Sequence, residues 1–279
     1  MQSPTQNSSN EHIAFIGGGN MASAIIGGLL KRGLPASQIQ VIEPFAEQRD
    51  RLAQQFQVAV SATPGASLSR AALVVWAVKP QTFRQAAEQS RDHTQNALHL
   101  SVAAGIRSDS IAGWLGTDRV VRAMPNTPAL IGQGMTALFA RPAASAADRQ
   151  AVERVVQTMG EYLWLDQEAQ LDAVTALSGS GPAYVFYFIE AMIQAGTDMG
   201  LNPEQARQLA IGTFVGASAL AQNATEPPEL LRERVTSKGG TTYAALTSME
   251  HDGIKAQFIR AMQAARRRAS QIGDEFGGG

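Results

Sequence analysis

An α/β amino-terminal half with a doubly wound sheet, followed by an all-helical carboxy-terminal half, is the architecture predicted for this chain of 279 residues. Three observations predict it. Short apolar runs alternate with amphipathic stretches up to about residue 167, a glycine loop joins the first run to the first stretch, and no strand-like run appears from Glu168 onward. Strand–helix alternation with short links implies right-handed βαβ units and a parallel sheet. At roughly 150 residues per domain the length suits two domains. The boundaries read as 11–167 and 168–279, behind a polar tail over 1–10 expected to be disordered.

The runs His12–Ile16, Ile39–Ile42, Gln57–Val60, Leu73–Val78, Leu98–Ala104 and Val120–Met124 are short and bounded by Gly, Pro or polar clusters. Most are rich in β-branched residues, as strands buried on both faces are. Between them Met21–Arg32, Ala46–Phe56, Gln81–Gln89 and Asp109–Leu115 read as helices. Met135–Ala140, a helix over Ala146–Met159 and Tyr162–Leu165 complete this half. In the second half Pro182, Asn202-Pro203 and Pro227-Pro228 each sit where a helix begins. The segment Ala183–Ala195 is apolar nearly all round, interrupted only by Glu190 and Gln194. Such a helix must be covered on every side. Either it is the core of its own half or a second subunit covers it; the shortness of that half favours an obligate homodimer or larger assembly.

Lys and Arg total 23 against 24 Asp and Glu, a formal net charge of -1. That balance argues against a nucleic-acid partner or an anionic membrane surface, both of which need clustered positive charge. Cysteine is absent, which excludes disulfides, thiolate metal sites and cysteine nucleophiles. His12, His93, His99 and His251 lack metal-ligand spacing, so no metal is expected. No apolar run reaches the ~18 residues of a membrane span. With no signal-like opening, a soluble, cytoplasmic protein with loose termini is expected.

Directly after the first apolar run comes Gly17-Gly18-Gly19-Asn20-Met21-Ala22, a G-x-G-x-x-A loop between strand and helix. Gly17 permits the tight turn, Gly19 admits a pyrophosphate to the backbone, and Ala22 lets helix and strand approach. This setting predicts a Rossmann-type dinucleotide-binding domain, the other reading being only a tight turn. Glu43 ends the second run, where an acid accepts a ribose 2′-OH and repels a 2′-phosphate. That leans to NADH, while nearby Arg49 and Arg51 could reach a phosphate, so NADPH stays open. Ala77-Val78-Lys79-Pro80 lies at the carboxyl edge of the sheet, where ligands bind. Lys79 there either meets the cofactor or stands in solvent. Val102-Ala103-Ala104 is small enough to admit a flat ring, or simply packs closely.

Val235-Thr236-Ser237-Lys238-Gly239-Gly240-Thr241-Thr242 leads into a helical run, Tyr243–Glu250. Its hydroxyls and N–H donors suit a small carboxylate. The alternative is helix capping by Thr241 or Ser237. This stretch, with Pro228-Glu229-Leu230-Leu231 before it and Ala245-Leu246 and Met249-Glu250 after it, resembles the signature of the pyrroline-5-carboxylate reductase family. So do FIGGGNMASAIIGGL at the start, AVKPQ, SVAAGI, RAMPNTPAL around Asn126, and LDAVTALSGSGPAYVF. The resemblance implies reduction of the imine 1-pyrroline-5-carboxylate by NAD(P)H to L-proline. It implies pyrophosphate on Gly17–Ala22, ribose near Glu43, and cofactor contacts on Ala77, Val78, Lys79, Pro80, Val102, Ala103 and Ala104. The substrate carboxylate would fall to Gly240, Thr241 and Thr242, with the Thr242 hydroxyl facing the ring nitrogen as the catalytic group. Ser237 would line that loop, and Glu168 holds a family position near the substrate. Interlocked dimers, often built into decamers, are also implied.

Two positions depart from the family pattern. Lys238 stands where the loop commonly has proline, and Pro64 where many relatives carry Asn opposite the adenine. The nearest rival, a dehydrogenase of the β-hydroxyacid type, relies on a lysine near the start of the interdomain helix. No lysine lies between Lys79 and Lys238. A non-catalytic NAD(P)-sensing protein of the same fold is the rival from another class, and the nearly intact Ser237–Thr242 loop speaks against it.

Overall fold

The computed structural model describes residues 12–277; the expected tail over 1–10 lies outside the described residues. The chain divides into two compact units, one of residues up to Ser180 together with those from Ala265 onward, the other Gly181–Ala264. The compositional change at residue 167 therefore does not coincide with the edge of the first unit.

In the first unit, eight strands form one sheet: β1 (His12–Ile16), β2 (Ile39–Ile42), β3 (Ala59–Ser61), β4 (Ala71–Trp76), β5 (Leu98–Ser101), β6 (Val120–Met124), β7 (Gly134–Ala140) and β8 (Gly160–Trp164). Their order is β3-β2-β1-β4-β5-β6-β7-β8, and β1 to β6 pair in parallel. Only β6 and β7 pair antiparallel. The link between those two holds a single 3-10 turn, too little for the crossover that a parallel pair requires.

The register explains the unbroken apolar runs. Ile13 and Phe15 of β1 point to one core with Val41, Leu73 and Val75, while Ala14 and Ile16 point to a second with Trp76, Phe83 and Trp114. Helices α1 (Asn20–Lys31), α2 (Ala46–Phe56), α3 (Pro80–Ser90), α4 (Ser108–Leu115) and α5 (Ala146–Val156) follow the strands and cover both faces. Burial of both faces is why hydrophobic residues do not alternate with polar ones here.

Several ends move inward from the sequence expectation. Gln57 adopts a left-handed conformation (φ 56°) to terminate α2, so β3 starts at Ala59. β4 stops at Trp76 and β5 at Ser101, because the residues beyond turn away to build the loops at the carboxyl edge. Between Gln170 and Gly181 a short helix α6 (Gln170–Val174) passes into a π-helical turn, Thr175–Gly179.

The second unit is helical: α7 (Gly181–Asp198), α8 (Pro203–Asn223), α9 (Pro228–Arg234), α10 (Thr241–His251) and the first part of α11 (Ile254–Gly277). Asn202 caps α8 through a reciprocal box with Gln205, and Pro203 occupies its first turn. On α7 only Gly196 is buried, with Phe186 58% and Tyr187 69% exposed. Within one chain, then, α7 is not a covered core helix. No helix among the described residues is long and apolar enough to cross a membrane.

His99 in β5 is wholly buried, and its Nδ1 accepts the Trp76 indole N–H at 3.0 Å. Burial, helped by the Arg119 charge and opposed by the Thr94 backbone, lowers its pKa from 6.5 to about 4. A proton on Nδ1 would also face the indole donor. The unfolded chain therefore binds a proton that the folded one refuses, and stability falls as pH drops from 6.5 towards 4. The expected loss is about 3 kcal/mol in urea titrations at fixed protein concentration, and His99→Gln flattens that limb. Parallel pH profiles for the two proteins would remove His99 as the cause.

Candidate active site

Backbone contacts shape the glycine loop. Gly17 sits at φ +93°, and a Cβ there would lie 2.6 Å from the Ala77 carbonyl oxygen, so no side chain fits between β1 and β4. At Gly18 a Cβ would overlap Leu52 of α2. Around Gly19 the space is open, and α1 starts there without a side-chain cap. Its first backbone bond runs from Ser23 N–H to the Gly19 carbonyl at 2.9 Å. The N–H groups of Asn20, Met21 and Ala22 thus have no intrahelical acceptor. Open approach, free amides and the positive end of a helix together fit a pyrophosphate.

Glu43, buried at the end of β2, is tied into this loop. One carboxylate oxygen accepts the Gly18 N–H at 2.8 Å and the other the Phe45 N–H at 3.0 Å. The Gln48 amide donates to the Gly18 carbonyl from the other side. The carboxylate that the sequence reading reserves for a ribose hydroxyl is, in the fold, first a clamp on the loop. Arg49 spends Nη1 on the carbonyls of Glu43 and Pro44, at 2.8 and 2.7 Å, while Arg51 is exposed.

The next two strand ends join the same edge. Ala77 N–H donates to the Ile16 carbonyl at 2.8 Å, and Val102 N–H to the Trp76 carbonyl at 3.0 Å. Val78 and Val102 are half-buried, and Ala103 is buried. Lys79 is exposed at the start of α3, with Pro80 as that helix's first residue. The structure thus brings Gly17–Ala22, Glu43, Ala77–Pro80 and Val102–Ala104 to one edge of the first unit.

Glu168 stands at the far end of the loop that Val102–Ala104 begin, and its carboxylate is already committed. One oxygen accepts the Ser108 N–H at 2.6 Å and the Arg122 Nη1 at 2.7 Å; the other accepts the Ser108 hydroxyl at 2.5 Å. It serves as the missing cap of α4, whose own N-cap residue Arg107 makes no side-chain cap bond. Arg122 is buried in β6, and that burial lowers its pKa while Glu168 opposes the shift. Sequence reasoning missed Ser108 and Arg122. The one available signal was an arginine inside the apolar strand VVRAM, since a buried charge must be paired.

In the second unit, Gly239 at φ +76° turns the chain into α10. The N-cap is Gly240, with no side-chain cap bond, which corrects the expectation that Thr241 or Ser237 caps the helix. Gly240 N–H donates to the Ser237 carbonyl at 2.9 Å, and the first helical bond is Ala244 N–H to the Gly240 carbonyl at 3.1 Å. The N–H groups of Thr241, Thr242 and Tyr243 therefore lack intrahelical acceptors. Ser237 and Thr241 are exposed and Thr242 half-buried. Among the described residues no three His, Asp or Glu side chains gather to hold a metal ion.

A largely parallel sheet ending in an uncapped glycine loop is the architecture of a dinucleotide-binding domain, and the relatives of this chain make it an NAD(P)-dependent oxidoreductase. Residues 12–105 match the family model for NADP oxidoreductase, coenzyme F420-dependent, and residues 168–272 that for pyrroline-5-carboxylate reductase dimerisation. The chain is 43% identical to the pyrroline-5-carboxylate reductase of Pseudomonas aeruginosa, over 96% of this chain and 99% of the relative. Its fold is similar to that of the Coxiella burnetii pyrroline-5-carboxylate reductase, with TM-score 0.87 and 34% identity over 95% of this chain and 99% of the other. It is similar also to the Plasmodium falciparum pyrroline carboxylate reductase with NADP bound, with TM-score 0.86 and 25% identity over 95% and 98%. The chain belongs to the pyrroline-5-carboxylate reductase family.

Replacing Glu168 by Gln leaves Arg122 charged, buried and without the carboxylate that pairs with it directly, the charge of Asp172 acting only at longer range. The expected loss of unfolding free energy is about 3 kcal/mol, read from urea denaturation. A loss below about 1 kcal/mol would mean that Arg122 finds another partner.

Proposed function

We propose that this protein reduces the C=N bond of 1-pyrroline-5-carboxylate with NAD(P)H, giving L-proline in the last step of proline biosynthesis. Beyond family membership, the observation that carries this reading is the uncapped start of α10, where two threonines and free amides meet. The free amides of Thr241 and Thr242 take the substrate carboxylate, and Ser237 lines the loop; the Gly240 N–H, expected to join them, is spent on the Ser237 carbonyl and holds the turn instead. When bound, the cofactor supplies the hydride. Thr242 orients the ring nitrogen and follows its proton as the positive charge of the iminium disappears. A protonated imine already carries that charge, so no stronger acid is needed. Glu168 acts on the substrate side at one remove, through the α4 start that it caps.

Gly17, Gly18, Gly19, Asn20, Met21 and Ala22 hold the pyrophosphate, with Ala77, Val78, Lys79, Pro80, Val102, Ala103 and Ala104 along the cofactor's path. NADH is the favoured form, because the charge of Glu43 at the end of β2 disfavours a 2′-phosphate. A second copy covers the exposed apolar residues of α7 and α8, and dimers assemble further into a decamer. The cytoplasm suits both a small imine substrate and a chain without cysteine.

Steady-state kinetics with pyrroline-5-carboxylate test the reading. Turnover is expected with both cofactors and a higher kcat/KM with NADH; no turnover with either overturns the activity. A strong NADPH preference overturns the assignment to Glu43 alone. Thr242→Val is expected to lower kcat about 5- to 150-fold, the equivalent of about 1–3 kcal/mol, with cofactor affinity retained. Full turnover by that variant removes Thr242 from the chemistry.

A further inference from the structure

The loop from Val102 to Arg107, whose first residues Val102–Ala104 the proposed reading sets along the cofactor's path, is gripped by the far end of the chain. Gly105 takes φ +81°, and a Cβ on it would overlap Ile272 of α11. Facing it, a Cβ on Gly273 would lie 2.8 Å from the Gly105 carbonyl oxygen. Two glycines therefore let the α11 backbone touch the loop backbone. On one side of this contact Arg107 Nη2 donates to Asp274 at 2.8 Å; further along, the Ser110 hydroxyl donates to the Gly277 carbonyl at 2.7 Å. Phe276 packs on the core that holds Ile106 and Ala103. At the other end of the loop Glu168 and Arg122 fix Ser108.

We infer that the last turns of α11, through Gly273 and Asp274, are positioning residues for hydride transfer: they set where the 102–107 loop stands without touching substrate or cofactor. Among the described residues nothing outside this loop requires glycine at 273. It lies in a helix interior, where alanine is the better helix former, and the one prohibitive contact for a Cβ there is the Gly105 carbonyl at 2.8 Å, with Arg107 of the same loop at ordinary contact distance. Displacing a positioning element by about 1 Å can cost about a hundredfold in rate while leaving binding intact. The inference rests on the proposed reading, since it needs an imine reduction to tune.

The test compares Gly273→Ala, Asp274→Asn and the exposed-face control Gln271→Ala with the wild-type full-length chain. Cofactor affinity is measured by fluorescence titration with NADH and NADPH, and hydride transfer by single-turnover mixing with pyrroline-5-carboxylate. Gly273→Ala is expected to slow the single-turnover rate about tenfold or more, with cofactor Kd within about twofold of wild type and Gln271→Ala unchanged. A wild-type rate in folded Gly273→Ala overturns the inference, as does a loss of cofactor affinity in step with the rate, which would mark general damage. Should Gly273→Ala not fold, Asp274→Asn decides in the same way: a slowed rate at unchanged affinity supports the inference and an unchanged rate overturns it. A wild-type protein that binds cofactor yet never reduces the imine fails at the earlier step, and the inference falls with the proposed function.

Discussion

Burial of both faces of the sheet is the constraint from which the rest of this structure follows. With helices on either side, β1 and its neighbours run parallel and end at a common edge, so the first strand's loop meets those of the second, fourth and fifth. Loops that crowd together there have no room for side chains at the points of contact. Glycine is required where Gly17 meets the Ala77 carbonyl and where Gly105 meets α11. The open space over Gly19 is the counterpart of that crowding: packed backbone on one side and free helix amides on the other.

Two carboxylates, Glu43 buried and Glu168 half-buried, show how the fold spends charge. Glu43 accepts two main-chain N–H groups and holds the glycine loop against β2. Glu168 accepts from Ser108 and pairs with Arg122, joining the segment after β8 to the start of α4 and to the middle of β6. Each is hydrogen-bonded on both oxygens, which offsets the cost of drawing a charge away from water. Each also stands one step behind a loop rather than at its surface. Charge near this edge therefore works largely through the backbone it fixes.

The helical unit follows another logic. Its helices leave Phe186, Tyr187, Val215 and Leu220 exposed, more apolar surface than a lone small unit keeps in water. The dimerisation family model covers this region, so the composition that looks excessive for one chain belongs to an assembly. The loop before α10 sits in that unit, and the amides of Thr241, Thr242 and Tyr243 at the helix start have no intrahelical acceptor.

The strands, the glycine loop, the helical second half and the threonine loop were legible in the residues, because each is written in a local pattern: an apolar run, a glycine spacing, a proline at a helix start. Element ends were less legible, since Gln57 in a left-handed turn and the early ends of β4 and β5 follow from neighbours. What the chain alone determined is thus its elements, its family and the residue types at each candidate site. Only the tertiary structure decided that Glu43 clamps a loop, that Glu168 caps a helix and that Gly273 abuts Gly105. Those contacts join residues 25, 60 and 168 positions apart. No local pattern encodes a pairing at such separations, and it exists only once the buried sheet has brought the segments together.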